Sequence, residues 1–425
     1  MAFVQDAPKD SFRLGMLIYD TRYRAITIQV IVLTLFLLFL SWLVNNTIEN
    51  LAAKDRSFDF GFLWQRAGYD INQTLISYTN DSTHFRAALV GLLNTLLAAT
   101  VGCIVATILG VLVGVLRLSK NWLVGRMMTV YVEVLRNVPV LLWILLTMTI
   151  LSETTPAPSD FRVTEAMIAA GEAPKATMML WDTVAITNRG MNVPAPLVEH
   201  GLPRLELLGM SVNSNVLAFL VVLGGSLWVN SRIRGHARRV QEATGVRPVT
   251  WWKSLAVIVL PTVALLMALG FHLDIPTLTR FNFKGGTEIL HSFTALTLAL
   301  ALYTSAFIAE IVRAGIMAIS RGQSEAAFAL GLRPGRTMSL VILPQALRVI
   351  IPPLISQYLN LTKNTSLAIA VSYMDLRGTL GGITLNQTGK ELECMLLMMA
   401  IYLTLSLIIS SVMNAFNRAV ALKER

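Results

Sequence analysis

The sequence predicts an all-α polytopic membrane protein with about eight transmembrane helices. Three observations carry that prediction. Eight apolar runs are each close to or longer than the roughly 20 residues that span a bilayer. Asp, Glu, Lys and Arg make up only 14% of the 425 residues, where an ordinary soluble domain carries about 25%. Lysines and arginines collect between alternate runs, the bias that sets orientation in a membrane.

Residues 1–24 are polar and basic, with Lys9, Arg13, Arg22 and Arg24. The apolar run 25–45 follows, with Trp42 near its far end. It is longer than a usual signal-peptide core, so an uncleaved anchor helix is expected, with segment 46–87 outside. Runs near 88–116 and 129–150 come next, joined by a short loop with Arg117, Lys120 and Arg126. The stretch 151–211 is rich in Pro, Ala and Met and reads as an irregular excursion rather than a folded domain. Runs near 212–230 and 251–272 flank a loop holding Arg232, Arg234, Arg238, Arg239, Arg247 and Lys253. Runs near 289–311, 350–372 and 392–413 complete the set. The loop between the first two of these carries Arg313, Arg321, Arg333, Arg336 and Arg348, and the tail Arg418, Lys423 and Arg425. With the N-terminus inside, inner segments are about twice as dense in Lys and Arg as outer ones, so both termini are expected in the cytoplasm.

The net charge of +10 is explained by this loop bias and does not indicate nucleic acid. Cys103 and Cys394 both lie in apolar runs, so no disulfide framework is expected. The five histidines have no metal-ligand spacing, and no cofactor is expected. Neither H-E-x-x-H nor G-x-S-x-G occurs, so no catalytic residue is assigned. No G-x-x-x-x-G-K-[ST] occurs, and the chain cannot supply its own ATPase of that type.

Charged and amide residues inside apolar runs default to functional candidates, because placing them there is costly. In Tyr131–Pro139, Glu133 and Arg136 are three apart, share a helix face and can pair. They read either as an ion pair near a helix end or as part of a translocation path. Glu310 and Arg313 have the same spacing and read as a pair where a helix leaves the bilayer. In Gln357–Leu367, Asn360, Lys363 and Asn364 fall on one helical face, with Ser366 just beyond. An ammonium with amides beside it suits a carboxylate, such as every amino acid carries, or Lys363 neutralises a carboxylate such as Glu133. Asn94 is a lesser candidate on a helix whose Gly102, Gly110 and Gly114 suit close packing.

The segment 321–344 reads RGQSEAAFALGLRPGRTMSLVILP. A short Ala-rich helix is expected from Glu325 to Leu330, stopped by Gly331 at a position favouring positive φ. The order Glu325-Ala326-Ala327, three residues, Gly331, nine residues, Val341, one residue, Leu343-Pro344 resembles the EAA loop of ABC-importer permeases. There the aliphatic position is usually Ile. Tyr131–Pro139 and Ala309–Ile316 resemble further motifs of the polar amino-acid permeases, and QYLNLTKNTSLA resembles the general L-amino-acid permeases, their longer subunit in particular.

The resemblance implies a type I ABC-importer permease core in two parts, 88–150 and 288–415. Between them lies an insertion, 151–287, with two extra helices; the anchor 25–45 precedes the core and a tail, 416–425, follows it. Glu325, Ala326, Ala327, Gly331, Leu343 and Pro344 would couple the chain to a cytoplasmic ABC ATPase dimer. A second permease in a heterodimer and a periplasmic amino-acid-binding protein would complete the assembly within membrane lipid. The cargo implied is L-amino acids of broad range. The alternative is a secondary transporter or a channel for small polar solutes; the former should show internal duplication, and none is visible.

Overall fold

A computed structural model describes residues 15–53, 58–163, 167, 173–203, 205–207, 210–246 and 248–420. Among the described residues ten α-helices have nine residues or more: α1 (Thr21–Ala53), α2 (His84–Leu116), α3 (Trp122–Asn137), α4 (Val140–Thr154), α5 (Ser214–Thr244), α6 (Trp251–Ala268), α7 (His291–Met317), α8 (Arg321–Ala329), α9 (Leu343–Asn364) and α10 (Glu391–Val420). Among the described residues seven helices are long and apolar enough to cross a membrane, and one bent pair makes an eighth candidate. Lys9, Arg13, Arg247, Lys423 and Arg425 lie outside the described residues.

The expected span 129–150 is not one straight helix. It is α3 and α4, bent by 106° at Val138 and Pro139. Pro139 brings no N–H to a helical ladder, and its ring drives the residue before it out of the α region. Val138 is accordingly extended, at φ −103° and ψ 133°. The apolar run stays continuous through the break, which is why hydropathy alone hides it.

The bundle is organised around α2 and α7. Ala98, Ala99 and Ala106 of α2 and Leu296, Ala299, Leu300 and Ile308 of α7 are buried in one core, with Ala346, Ile350 and Leu361 of α9. Gly110 meets Ile308 and Gly114 meets Ala309 and Val312, so the two helices run parallel. A Cβ at Gly110 would stand 2.6 Å from Ile308, and one at Gly114 2.7 Å from the Ala309 carbonyl. Small residues are required there because the backbones approach too closely for anything larger. α4 and α9 pack against α7, whereas α1 buries nothing in its apolar window.

The stretch 151–211 differs from the irregular excursion expected. Strands β1 (Ala185–Thr187) and β2 (Gly190–Val193) form a hairpin, β3 (Ala195–Val198) follows, and β4 (Leu205–Leu207) pairs with β5 (Met210–Val212). Past α6 come β6 (Phe271–Asp274), β7 (Thr277–Leu278), β8 (Phe283–Lys284) and β9 (Thr287–Leu290). β2 pairs antiparallel with β9, and β3 with β6. The α5–α6 hairpin is thus closed at its base by strands, and β9 runs straight into α7. His291, the first residue of α7, contacts the Thr187 carbonyl through Nε2 at 2.6 Å and fixes that junction.

Candidate functional site

α8 is short, and its end is specified in detail. Gly331 adopts φ +77°. Its N–H donates to the Phe328 carbonyl at 2.9 Å, and the Leu332 N–H to the Ala327 carbonyl at 3.1 Å. This pair of bonds closes the helix C-terminus around a left-handed residue and satisfies carbonyls that would otherwise be orphaned. Ala327 is buried, while Glu325, Ala326, Phe328 and Leu330 are exposed, Leu330 at 82%. The Gln345 amide on α9 donates to Gln323 of α8 at 3.3 Å. Leu343 and Pro344 lie inside a helix that runs on from Pro334, directly after a π-helical turn, Met338–Ile342; the wider turn accommodates a proline that has no N–H to give to the ladder. A rigid, capped helix therefore holds a small apolar surface, Phe328 and Leu330, away from its own bundle.

Glu133 and Arg136 are both exposed, and they do not form the pair that their spacing allows. The Asn137 amide donates to Glu133 at 3.4 Å. Arg136 instead crosses to α7 and lies 5.0 Å from the centroid of the Phe307 ring. The aromatic face attracts the guanidinium without desolvating a carboxylate.

Glu310 has two partners. Arg313 donates to it at 2.7 Å from the next turn of α7, as the spacing suggested. The second is Arg117 at the end of α2, whose side chain is only 9% exposed. The Arg117 contact is invisible to local spacing because 193 residues separate the partners.

Asn94 is fully buried. Its amide donates to the carbonyls of Gln73 at 2.8 Å and Met374 at 2.9 Å. Tyr373 donates to the Asn94 carbonyl at 3.0 Å, and the Leu376 N–H to the Thr95 hydroxyl at 3.0 Å. Beside them Asp375, fully buried, accepts from the Gly378 N–H at 2.8 Å and from Tyr402 at 3.4 Å. Burial raises its carboxyl to about 6, against the bonds from Gly378 and Tyr402 that lower it. The sequence reading missed Asp375; the signal was a lone acid between apolar runs, followed three residues on by glycine.

Asn360 and Lys363 are exposed, and Asn364 and Ser366 half-buried. α9 ends at Asn364, and the chain tightens into a 3₁₀ stretch, Thr365–Val371. Lys363 makes no ion pair with Glu133 or any other described residue. Asn360 and Lys363 thus turn away from this chain's own packed core.

Residues 106–422 match the family described as binding-protein-dependent transport system inner membrane component. Over 426 residues, all of both chains, the sequence is 67% identical to the glutamate/glutamine/aspartate/asparagine transport system permease protein BztB of Rhodobacter capsulatus. It is 41% identical over 421 residues to the general L-amino acid transport system permease protein AapQ of Rhizobium johnstonii, across 98% of this chain and 96% of that one. It is 38% identical over 404 residues to the putative amino-acid ABC transporter permease protein YhdX of Escherichia coli, across 95% of each. A match over most of the length, on a helical bundle built to cross a membrane, makes this chain a member of the inner membrane components of binding-protein-dependent transport systems.

Proposed function

We propose that the chain is the longer permease subunit of an ATP-driven importer of L-amino acids, with broad range. The observation that carries its coupling role is α8: a helix capped at a left-handed glycine, tied to α9, with Phe328 and Leu330 presented outward on a basic loop. The cargo is supported by full-length relatives that are permeases of systems for acidic amino acids and their amides, and for L-amino acids generally. ATP hydrolysis belongs to a separate subunit, consistent with the absence of a phosphate loop.

In this reading both termini are cytoplasmic, a second permease pairs with this one, and an ABC ATPase dimer seats α8. A binding protein delivers the amino acid to the outer face. Closure of the ATPases moves α8, and α8 moves α9 through the turn 330–333 and the helical stretch 334–342 that continues into α9. Rocking of the two permeases then opens the path to each side in turn, and cargo moves only if the two states differ in affinity for it. Asn360, Lys363, Asn364 and Ser366 would meet the substrate, Lys363 taking the α-carboxylate common to all amino acids. The core 88–150 and 288–415 would carry this motion, with 151–287 an insertion and α1 an anchor.

The test is uptake of labelled glutamate and of labelled leucine in cells with and without the chain, each against excess unlabelled amino acids. Loss of both uptakes with mutual competition is the expected result. No change in either would refute the cargo.

A further inference from the structure

The α5–α6 hairpin lies outside the coupling and pathway residues, and it is built for a different contact. α5 has 31 residues. At about 1.5 Å per residue that is about 46 Å, longer than the roughly 30 Å hydrocarbon core of a bilayer. Its apolar stretch ends at Val229, and Arg232, Arg234, Arg238 and Arg239 follow. On α6 the same transition occurs at Trp251, Trp252 and Lys253. Trp228, Trp251 and Trp252 are 60%, 70% and 53% exposed, the residue type and exposure of a membrane–water boundary. The Arg232 guanidinium lies 4.9 Å from the Trp228 ring, and the Lys253 ammonium 5.3 Å from the Trp252 ring.

A pocket of about 400 Å³ opens at this level, lined by Arg234, Pro248, Val249, Thr250, Trp251 and Ser254. Ser254 is 7% exposed, and its hydroxyl has no partner among the described residues. Thr250 precedes α6 without a side-chain cap, so the first N–H groups of the helix are open on the same side. Among the described residues no carboxylate forms an ion pair with Arg232, Arg234, Arg238, Arg239 or Lys253. An exposed guanidinium, the unpartnered Ser254 hydroxyl and uncapped amides line one pocket beside indole rings, at the depth where lipid phosphates lie.

We propose that this pocket binds the headgroup phosphate of an anionic phospholipid. The phosphate oxygens accept from Arg234, from the Ser254 hydroxyl and from the first amides of α6. The acyl chains run along the exposed apolar flank of the hairpin, Leu220, Val221, Leu255 and Val259 among them. Arg238 and Arg239, on the part of α5 that projects past the bilayer, draw the anionic surface toward it. This assigns a role to the inserted hairpin and does not depend on which amino acid is carried.

The test uses the assembled transporter in nanodiscs of phosphatidylcholine containing labelled phosphatidylglycerol or labelled phosphatidylcholine as the probe. The expected result is at least tenfold greater retention of phosphatidylglycerol. Arg234→Gln should lower that preference at least fivefold, and Arg234→Lys should restore part of it. Ser254→Ala, which removes only a hydroxyl, should lower it about threefold and keeps the test open if Arg234→Gln fails to assemble. Equal retention of the two lipids by the unaltered transporter, or an unchanged preference in both Arg234→Gln and Ser254→Ala, overturns the proposal. Displacement by millimolar glycerol 3-phosphate also overturns it, because the site would then serve a soluble anion.

Discussion

Arg117, the residue that follows α2, meets Glu310, two turns before the end of α7, and Arg313 holds the same carboxylate. Beside this contact the helices touch through Gly110 and Gly114 of α2 set against Ile308, Ala309 and Val312 of α7, apolar contacts that carry no directional bond of their own. The clamp therefore fixes the register of α2 against α7. Arg117 is nearly buried, so removing Glu310 leaves a guanidinium without its partner. Glu310→Ala should destabilise the transporter by about 1–3 kcal/mol, discounted from a fully buried pair because the carboxylate is partly exposed. Arg117→Ala should cost a similar amount, and the double variant little more than either. Thermal melts of the three variants in detergent check this; additive losses would mean that the contact does not couple the helices.

Asp375 predicts a pH dependence of the opposite sign to most carboxylates. Its folded value is raised from 3.8 to about 6 by burial. The neutral acid is favoured in the folded state, so its contribution is full below about pH 4 and is lost as pH rises through 6. The whole effect is up to about 3 kcal/mol. Asp375→Asn keeps the acceptor for the Gly378 N–H and removes the buried charge. It should flatten the stability profile between pH 4 and 6 and leave the protein at least as stable at pH 8. Melting across that range decides the matter, and a variant less stable than the parent at pH 8 would count against it.

The parts legible in the sequence are those set by local patterns. Hydropathy marks the apolar part of every spanning helix but not the polar ends, since α3 begins at Trp122 and α5 runs on to Thr244 in stretches that read as loops. The glycine after Leu330 marks the end of α8, because its signal sits beside the feature. Three features escaped for one physical reason, that their cause lies far along the chain or below the resolution of hydropathy. The β2–β9 pairing joins strands of four residues each across nearly a hundred residues, too short for an alternation signal. Arg117 reaches Glu310 only after α2 and α7 have packed. The kink at Pro139 was written in the sequence, but the apolar run through it outweighed the proline.

Two polar positions, Asn94 and Lys363, separate structure from transport. Asn94 holds two backbone carbonyls from elsewhere in the fold, whereas Lys363 and Asn360 face outward. Asn94→Ala strands those two acceptors in a buried site and should cost about 2–3 kcal/mol, seen as a lower melting temperature and poor assembly. Lys363→Met touches no bond of the folded chain. It should leave melting unchanged and lower amino-acid uptake at least tenfold if the ammonium holds the α-carboxylate. Normal uptake in Lys363→Met would remove that residue from the pathway.

Gly331 tests coupling without the ambiguity of a steric clash. A side chain there would meet nothing within 4 Å, so space is available. The backbone is the obstacle: at φ +77° a β-branched residue is strained by about 1–2 kcal/mol or more. Gly331→Val can relieve that strain by giving up the bonds from Gly331 to Phe328 and from Leu332 to Ala327, which frays α8 and displaces Phe328 and Leu330. Asn tolerates the left-handed region better than most residues, so Gly331→Asn should keep the cap. The expected order of uptake is the parent chain first, Gly331→Asn close behind, and Gly331→Val reduced at least tenfold. Membrane insertion should be equal in all three, because α8 lies outside the spanning helices. Co-purification of the ATPase reads the docking directly. Equal uptake by Gly331→Val and Gly331→Asn would mean that the shape of α8 does not transmit the ATPase motion, and the coupling role would have to be given up.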